Sequence, residues 1–403
     1  MTTATESRPT IDQHAGGARV PLSILDLATV SEGSTGADAI RASIDLAVRA
    51  DEWGYHRVWF AEHHLSPGVA SASPAVLAAL VASRTSHIRV GSGAVLLSTT
   101  SPVIAAEQFG AIAALHPGRV DLGLGRAFVP PAEGAPPTPN PVTPAREVDG
   151  LHVPATPPFD FRSADLRERF LAHGRVLGAN RSPGDFRAEL ELVLELLADA
   201  HVDSGIEYVS PPVQGAGLDL WVLASSGGDS ARVAGALGLP LAANFHVSPS
   251  TIVETVAAYR EAFRPGVLAQ PYVVVSVDVL AAETDEEAER LADPFAAWVW
   301  SIRKGTGAIA YPRPGTTVAW EDRPADEREL LLDRVSARVV GSPSTVVERL
   351  EALQRATGAD ELLLTTATHD KADTARSFEL VAQAWGLRGT ASRAATTAGS
   401  VTA

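Results

Sequence analysis

The 403-residue chain contains no cysteine and a single methionine. Without cysteine it can form no disulfide, bind no metal through thiolates and use no cysteine nucleophile. The HExxH spacing that places two histidines on one helix face around zinc is missing as well. No metal centre is therefore predicted.

Long apolar segments and an excess of positive charge are also missing. No run of about eighteen residues is free of charged and strongly polar side chains, so a membrane span is not predicted. Residues 1–20 show no apolar core after a basic start, so no secretory signal is predicted. The net charge of −15 disfavours nucleic acids and anionic membranes as partners. We expect a soluble, cytoplasmic protein.

The chain does have enough apolar sequence for a large core. Hydrophobic residues make up 45% of it and charged residues 20%. Both ends are rich in polar and small residues, which bury too little apolar surface to offset the entropy of ordering. The sequence therefore predicts one domain over residues 19–388, between flexible tails at 1–18 and 389–403. A single α/β barrel with insertions reaches this length.

Between the tails, short apolar runs alternate with helical patterns. Runs that are apolar on both faces are typical of a parallel sheet covered by helices. The predicted strands are Val20–Leu27, Arg57–Ala61, Ile88–Leu97, Val120–Leu124, Leu218–Ala224, Leu241–Phe245, Tyr272–Ala281 and Glu361–Thr366. This alternation predicts an α/β fold, a (β/α)8 TIM barrel. The pattern by itself also fits a doubly wound sheet.

Apolar residues at helical spacing and helix-end signals predict the helices. They are Ala37–Trp53, Pro74–Ser86, Pro102–Leu115, Phe186–Ala200, Ser230–Leu237, Ser250–Phe263 and Thr374–Trp385. Gly54 is expected to end the first helix and Pro74 to lie in the first turn of the second. Two glycine- and proline-containing segments interrupt the alternation, a long insertion at 127–185 after the fourth strand and a shorter one at 301–324.

In a parallel barrel, chemistry takes place where the strands end. Glu62, His63 and His64 follow the second predicted strand. Adjacent imidazoles beside a carboxylate can bind a metal or transfer protons, because histidine titrates near neutral pH. They are equally expected as a hydrogen-bonded pair in a loop. His246 ends the sixth strand, where an ordinary loop hydrogen bond is the simpler interpretation.

The third and fourth strands carry glycines and an arginine. Glycine at Gly91 and Gly93 indicates close approach either of a ligand or of another backbone, and the sequence does not decide between them. Arg126 stands at the end of the fourth strand. A guanidinium fixed there suits a phosphate or carboxylate, or a salt bridge to a neighbouring loop.

Ser225–Ser230 follows the fifth strand and opens a helix. Its small residues expose backbone N–H groups, and the helix dipole favours an anion. Asp229 or Ser230 could instead serve as an N-cap. The segment contains neither a Walker motif nor GxGxxG, so a mononucleotide phosphate fits better than a dinucleotide.

Together these stretches resemble the bacterial-luciferase-like flavin-dependent monooxygenases, the luciferase-like oxidoreductase family. The order and spacing of the stretches carry the resemblance, rather than any single motif. The similar stretches are Pro21–Asp26, Gly54–His64, Ile88–Gly93, Ala106–Phe109, His116–Arg126, Trp221–Ser226, His246–Pro249 and Val339–Pro343.

The resemblance implies a luciferase-like barrel that binds FMN at the C-terminal strand ends. It makes His64 and His63 the catalytic candidates, with His246 as a further one. The implied cofactor-binding residues are Asp26, Glu62, Gly93, Ala94, Arg126, Ser226, Gly227, Gly228 and Ser230. The Gly93–Ala94 bond matches the position of a non-proline cis peptide in the family.

The activity implied is that of a two-component monooxygenase in which a separate flavin reductase supplies reduced FMN. Reduced FMN and O2 then oxidise a small organic substrate, in a protein expected to be a homodimer. A deazaflavin-dependent dehydrogenase or reductase and a non-catalytic flavin-binding protein are the alternatives. Gly125 replaces a cysteine that luciferase has near its flavin, so light emission is not expected. Asp229 stands where the family usually has tyrosine.

The 127–185 insertion is predicted to form a substrate lid, because it starts directly after Arg126. Phe159, Phe161 and Phe170 could supply an apolar cover over the site. The alternative is a disordered insert without a catalytic part.

Overall fold

The computed structural model describes residues 19–126, 142–158, 164–178, 184–198 and 200–389. The predicted tails therefore lie outside the described residues, apart from Gly389. Phe159, Phe161 and the side chain of Phe170 lie outside them as well.

Eight parallel strands close into a barrel. The strands are β1 (Leu22–Asp26), β2 (Arg57–Phe60), β3 (Arg89–Ser92), β4 (Val120–Gly125), β5 (Leu218–Ala224), β6 (Leu241–Asn244), β7 (Val273–Ala281) and β8 (Glu361–Thr365). Each pairs with its neighbour in chain order, and β8 pairs with β1 in the register Leu22 to Leu362. The pairing of β4 with β5 continues the ring, which confirms the TIM barrel and excludes the doubly wound sheet.

Helices cover the outside of the barrel. They are α1 (Gly36–Trp53), α2 (Pro74–Ala82), α3 (Pro102–Leu115), α4 (Ala164–Leu177), α5 (Phe186–Ala198), α6 (Asp229–Ala236), α7 (Ile252–Ala262), α8 (Asp285–Ala292), α9 (Phe295–Arg303), α10 (Ala325–Ser336), α11 (Pro343–Thr357) and α12 (Lys371–Trp385). Within the described ranges, no helix is both long and apolar enough to cross a membrane.

Local signals set several helix ends. Thr35 and Asp38 form a capping box at the start of α1, in which each side chain binds the other residue's backbone N–H. Gly54 ends α1 with φ of 88°, a conformation that only glycine adopts without cost. Pro74 begins α2, as its sequence position predicts.

The predicted strand Ile88–Leu97 is two strands. β3 ends at Ser92, and a short strand at Val95–Leu96 pairs with Leu124 and Gly125 of β4. Between the two lies a cis peptide bond, Gly93–Ala94, at the position that the resemblance implied. The continuous apolar pattern hides this break because residues on both sides of it are buried.

The glycines of β3 and β4 have a packing role that the sequence left open. A Cβ on Gly91 would lie 2.4 Å from the Asp121 carbonyl oxygen, and one on Gly123 would lie 2.1 Å from that of Ser92. Both distances are far below van der Waals contact. Close approach of β3 and β4 therefore requires glycine at these two positions, whatever the barrel binds.

A buried ionic layer fills the barrel at the N-terminal strand ends. Arg57 donates to Glu361 at 2.7 Å and to Asp121 at 2.8 Å. Arg89 binds Asp121 from the other side and reaches Asp219 at 2.6 Å. Burial alone would raise the pKa of Asp121, but the two guanidinium groups hold it down to about 2. Above this layer the interior becomes apolar, with Trp59 and Trp221 packed edge to face.

The described parts of the 127–185 insertion are structured. A hairpin pairs Arg146–Val148 with Leu151–Val153, and α4 follows it. After α5, a second hairpin pairs His201–Asp203 with Ile206–Tyr208 before the chain returns to the barrel in β5.

Candidate active site

A cavity of about 560 Å³ opens at the C-terminal ends of the strands, opposite the ionic layer. This is the end where parallel barrels carry their active sites. Its lining includes eight of the twelve residues that the sequence nominated: Glu62, His63, Gly93, Ala94, Arg126, Ser226, Ser230 and His246. Residues from five strand ends, far apart in the sequence, thus meet around one space.

One end of the cavity is built for an anion. Arg126 at the end of β4 lies beside Ser226 and Ser230, and α6 begins with no side-chain cap among the described residues. Free N–H groups and the positive end of the helix dipole favour an anion there. Arg126 Nη1 lies 3.5 Å from Asp229 Oδ2, which is a loose and largely exposed pair. Asp229 therefore faces the arginine instead of pointing away from it.

Phe186 completes the same end. It begins α5, is almost fully buried and has its ring centroid 6.0 Å from the Arg126 guanidinium carbon. A cation at this distance from a ring face is attracted weakly. Sequence reasoning missed Phe186, because only its helix was visible and not the contact across 60 residues of chain.

The central wall of the cavity is apolar. It consists of Leu25, Ala61, Gly93, Ala94 and Leu223. A Cβ on Gly93 would lie 2.8 Å from Leu25 Cδ1 and 3.2 Å from Trp59 Cε3, so a side chain at this position would disturb the wall. Small side chains around the cis bond leave room for a broad planar ligand.

Hydrogen bonds of Glu62 connect the end of β2 to the loop that contains Leu96 and Thr99. Its Oε2 accepts from the Leu96 backbone N–H at 3.0 Å, and its Oε1 accepts from Thr99 at 2.6 Å. Oε1 also lies 2.8 Å from His64 Nε2. A carboxylate only accepts hydrogen bonds, so His64 Nε2 carries a proton and His64 Nδ1 remains available.

Two of the candidate histidines, His63 and His246, share the cavity. The His63 side chain lines the cavity and is exposed to the space within it, while the surrounding protein desolvates it and so lowers its pKa, with a smaller contribution from His64. Burial lowers the pKa of His246 to about 3, helped by the charge of Arg334. Its Nδ1 lies 2.6 Å from Ser276 Oγ, a partner on β7 that the sequence did not indicate. Near neutral pH both rings are therefore uncharged.

His64 lines a second pocket of about 270 Å³. The second pocket adjoins the first cavity, since Leu27 and His63 line both. Its apolar walls include Trp298 of α9, and the 301–324 interruption supplies the stretch 305–308. Sequence analysis placed His64 at the site but did not find this pocket, which residues of α4, α9 and the loop after β2 line together.

Besides His64, three nominated residues do not line the cavity. The Asp26 carboxylate accepts from the Ala28 backbone N–H at 2.7 Å and borders a crevice between α1 and α12, outside the barrel. Its role as a cofactor ligand is not supported by this position. Gly227 packs on α7, where a Cβ would lie 2.9 Å from the Glu254 carbonyl oxygen, and Gly228 is the N-cap of α6. Both glycines shape the turn behind the anion end.

No cluster of three or more metal-ligating side chains occurs in the part of the chain that the structure describes. Glu62 and His64 hydrogen-bond each other, and His63 does not join them in such a cluster. The cavity lining itself offers imidazoles, hydroxyls, one guanidinium and the carboxylates of Glu62, Glu189 and Asp229 around an apolar wall.

Comparison with known proteins gives a consistent result over most of the chain. The family model of luciferase-like monooxygenases matches residues 20–361. The uncharacterized protein YvbT of Bacillus subtilis is 36% identical over 368 residues, which cover 90% of this chain and 96% of the relative. A luciferase-like monooxygenase of Escherichia coli is 32% identical over 364 residues, again 90% and 96% of the two chains.

Solved structures share the fold. Apo-MsnO8 superimposes with a TM-score of 0.74 at 34% identity, covering 92% of this chain and all of the other. The oxygenating constituent of 3,6-diketocamphane monooxygenase from Pseudomonas putida, solved with FMN, gives 0.60 at 20% identity, with coverage of 90% and 97%. The coenzyme F420-dependent tetrahydromethanopterin reductase from Methanopyrus kandleri gives 0.51 at 17%, with coverage of 91% and 98%. The last two likenesses show the fold alone.

Proposed function

Because the chain belongs to the luciferase-like monooxygenase family, we propose that it is the oxygenating component of a two-component, FMN-dependent monooxygenase. Enzymes of this family use a flavin or coenzyme F420. In the proposal, a separate flavin reductase delivers reduced FMN, and the barrel uses it with O2 to oxidise a small organic substrate. The observation that carries the proposal is the cavity itself, which joins an anion-binding end to an apolar wall.

The residues present fit FMN. Arg126, Ser226, Ser230 and the start of α6 offer charge-assisted and neutral hydrogen bonds to a phosphate. The wall around Gly93 has the small side chains that a planar ring system needs. When bound, reduced FMN supplies the electrons with which one atom of O2 is transferred to a substrate and the other leaves as water. The protein's own part is to position, to exclude water and to hold protons.

His63 and His246 act as neutral hydrogen-bonding groups on the cavity side. Ser276 Oγ donates to the Ala243 carbonyl oxygen at 3.4 Å, which leaves it as acceptor for His246 Nδ1–H. In that tautomer His246 Nε2 is a proton acceptor. His64 is held by Glu62 between the cavity and the second pocket, so its free Nδ1 can exchange a proton with a substrate there.

Ligand titration followed by oxygen consumption tests the proposal. The purified protein is titrated with oxidised FMN, reduced FMN and reduced deazaflavin, and O2 uptake is then followed with NADH and a flavin reductase in the presence of catalase. We expect binding of reduced FMN and an organic product that carries one added oxygen atom. Selective binding of reduced deazaflavin would instead favour a deazaflavin-dependent dehydrogenase or reductase. FMN binding without any product from a broad substrate panel would favour the alternative of a non-catalytic flavin-binding protein.

The 127–185 insertion serves as the substrate lid in this proposal. Gly184 of the insertion lines the first cavity next to Phe186, the first residue after it, while Arg169 and His173 of α4 line the second pocket. Limited proteolysis tests the lid directly. Cleavage within 127–185 should slow when FMN and substrate are bound, and replacing residues 129–160 by a short linker should uncouple the reaction. Equal cleavage rates with and without ligands, or full coupling after the replacement, would refute the lid.

We further propose a homodimer, in which α2 and α3 meet their copies in a second chain. The exposed face of these adjacent helices carries large apolar side chains, Val76, Leu80 and Ile104, that are 41–56% exposed. Contiguous exposed apolar surface of this kind marks association sites. Leu80→Lys should shift the mass measured by light scattering from dimer to monomer, whereas Leu332→Lys on α10 should not. A wild-type protein that is monomeric at every concentration tested would refute the homodimer.

A further inference from the structure

We infer that the substrate is an anionic compound with a small apolar body, held in the second pocket with its anionic group against Arg169 and His173. This inference rests on the proposed function and specifies the class of substrate that the site takes. The pocket, its apolar wall and its charge each contribute to it.

The second pocket is placed to present a compound to the first cavity. Leu27 and His63 belong to the lining of both, so nothing wider than one side chain separates the two spaces. Its volume of about 270 Å³ lies near the lower end of the roughly 300–1,000 Å³ usual for small-molecule sites. A compact substrate fits there beside a much larger ligand in the first cavity.

One side of the second pocket is apolar. Trp298 and Ile302 come from successive turns of α9, and Leu27 and Val69 face them from the barrel loops. Trp298 is almost fully buried and packs on Phe295 and Tyr311, so its position is fixed. Rigid aromatic and aliphatic walls bind an alkyl or aryl body by excluding water from it.

The opposite side is cationic. Arg169 and His173 are four residues apart on α4 and so lie on the same helix face, which covers the pocket. No aspartate or glutamate lines the second pocket among the residues that the structure describes, and none of those residues forms an ion pair with Arg169 there. This is the opposite of the chain's overall balance of 48 acidic against 33 basic residues.

The histidines of the second pocket favour an anion that accepts hydrogen bonds. Desolvation lowers the pKa of His173, with a further contribution from His64. His173 is thus a neutral N–H donor near pH 7. Arg169 supplies the permanent charge and, through its planar fork, the geometry that matches a carboxylate. A cationic substrate would meet Arg169 without any compensating carboxylate.

Binding of matched ligand pairs tests the inference separately from the proposed function. Hexanoate is compared with hexanamide, and 4-phenylbutanoate with 4-phenylbutanamide, by calorimetry on the full chain, with and without FMN. Each pair shares its apolar body and differs in charge. We expect each carboxylate to bind about tenfold more tightly than its amide, and Arg169→Met to abolish the difference. Arg169→Lys should restore part of it.

Control variants keep the result interpretable. Arg175→Met removes an exposed arginine from the same helix outside the second pocket and should change nothing. Trp298→Ala should weaken acid and amide alike, because it removes the apolar wall. Equal binding of acids and amides, or a preference that survives Arg169→Met, would overturn the inference while leaving FMN-dependent oxygenation intact. Selective acid binding without any FMN binding would overturn the proposed function and leave the inference standing.

Discussion

Replacement of Arg126 by glutamine is the sharpest test of where the FMN phosphate lies. The side chain is 46% exposed, and its contacts with described residues are a loose pair to Asp229 at 3.5 Å and a weak one with the Phe186 ring, so little structure depends on it. A charge-assisted hydrogen bond contributes about 1.5–3 kcal/mol, and the lower end applies to a half-exposed group. Since about 1.4 kcal/mol is tenfold in affinity, Arg126→Gln should weaken FMN binding about tenfold.

Replacement of Asp229 should change the affinity for FMN in the opposite direction. Its side chain is 82% exposed and carries the negative charge closest to Arg126 among the described ion pairs. In water two unit charges about 4 Å apart interact with roughly 1 kcal/mol, less with salt. Asp229→Asn should therefore tighten FMN binding by about two- to threefold, and this gain should shrink as the salt concentration rises.

The assay compares FMN with riboflavin, which lacks the phosphate, by flavin fluorescence quenching on the same preparations. Both variants should leave riboflavin binding unchanged. Arg232→Gln, an exposed arginine of α6 outside the cavity, is the matched control and should alter neither ligand. If Arg126→Gln weakens riboflavin and FMN equally, or weakens neither, the phosphate does not bind at Arg126.

Three further predictions concern chemistry and stability. His64→Ala should uncouple the reaction, with reduced flavin consumed and hydrogen peroxide released; unchanged product and peroxide yields would exclude a role in proton transfer. Arg57→Met should lower the free energy of unfolding by about 3–5 kcal/mol in urea, because it leaves Glu361 buried without its cation. Folding lowers the pKa of Asp121 from 3.8 to about 2. The stability that ionised Asp121 contributes to the folded protein should therefore be complete above pH 4 and disappear as the pH falls towards 2. In urea unfolding across this range, Asp121→Asn should remove that acid-sensitive component, and an unchanged pH profile would contradict it.

The barrel is readable from the sequence because its strands are buried on both faces. Each predicted apolar run, from Val20–Leu27 to Glu361–Thr366, contains an observed strand, and the order of runs along the chain is the order of strands around the ring. The break at Gly93–Ala94 was placed by family resemblance and not by the apolar pattern. Helices α4 and α8 to α11 received no boundaries from the sequence; three of them, α4, α9 and α10, lie within or next to the two glycine- and proline-containing interruptions.

The candidate site was likewise predictable from the sequence only in part. Residues at strand ends, such as Glu62 and Arg126, were nominated from their position, and the structure brings them to one cavity. Contacts between distant elements were not readable. Ser276 binds His246 across 30 residues, and Arg169 reaches the second pocket through the packing of α4 on the barrel. Asp26 was nominated from the sequence but does not line the cavity, because a strand-end position does not tell which side of the sheet a carboxylate faces.

The separation of the ionic layer from the cavity has a consequence for how such a barrel can diversify. Arg57, Asp121 and Glu361 lie at the strand ends opposite Trp298 and Ile302, so the ionic layer does not contact these residues of the second pocket. Proteins lose function through mutation mainly when stability falls below a threshold. Random libraries confined to the two pocket walls should therefore keep a high proportion of folded members, which makes this scaffold a tractable starting point for laboratory evolution of new substrate ranges.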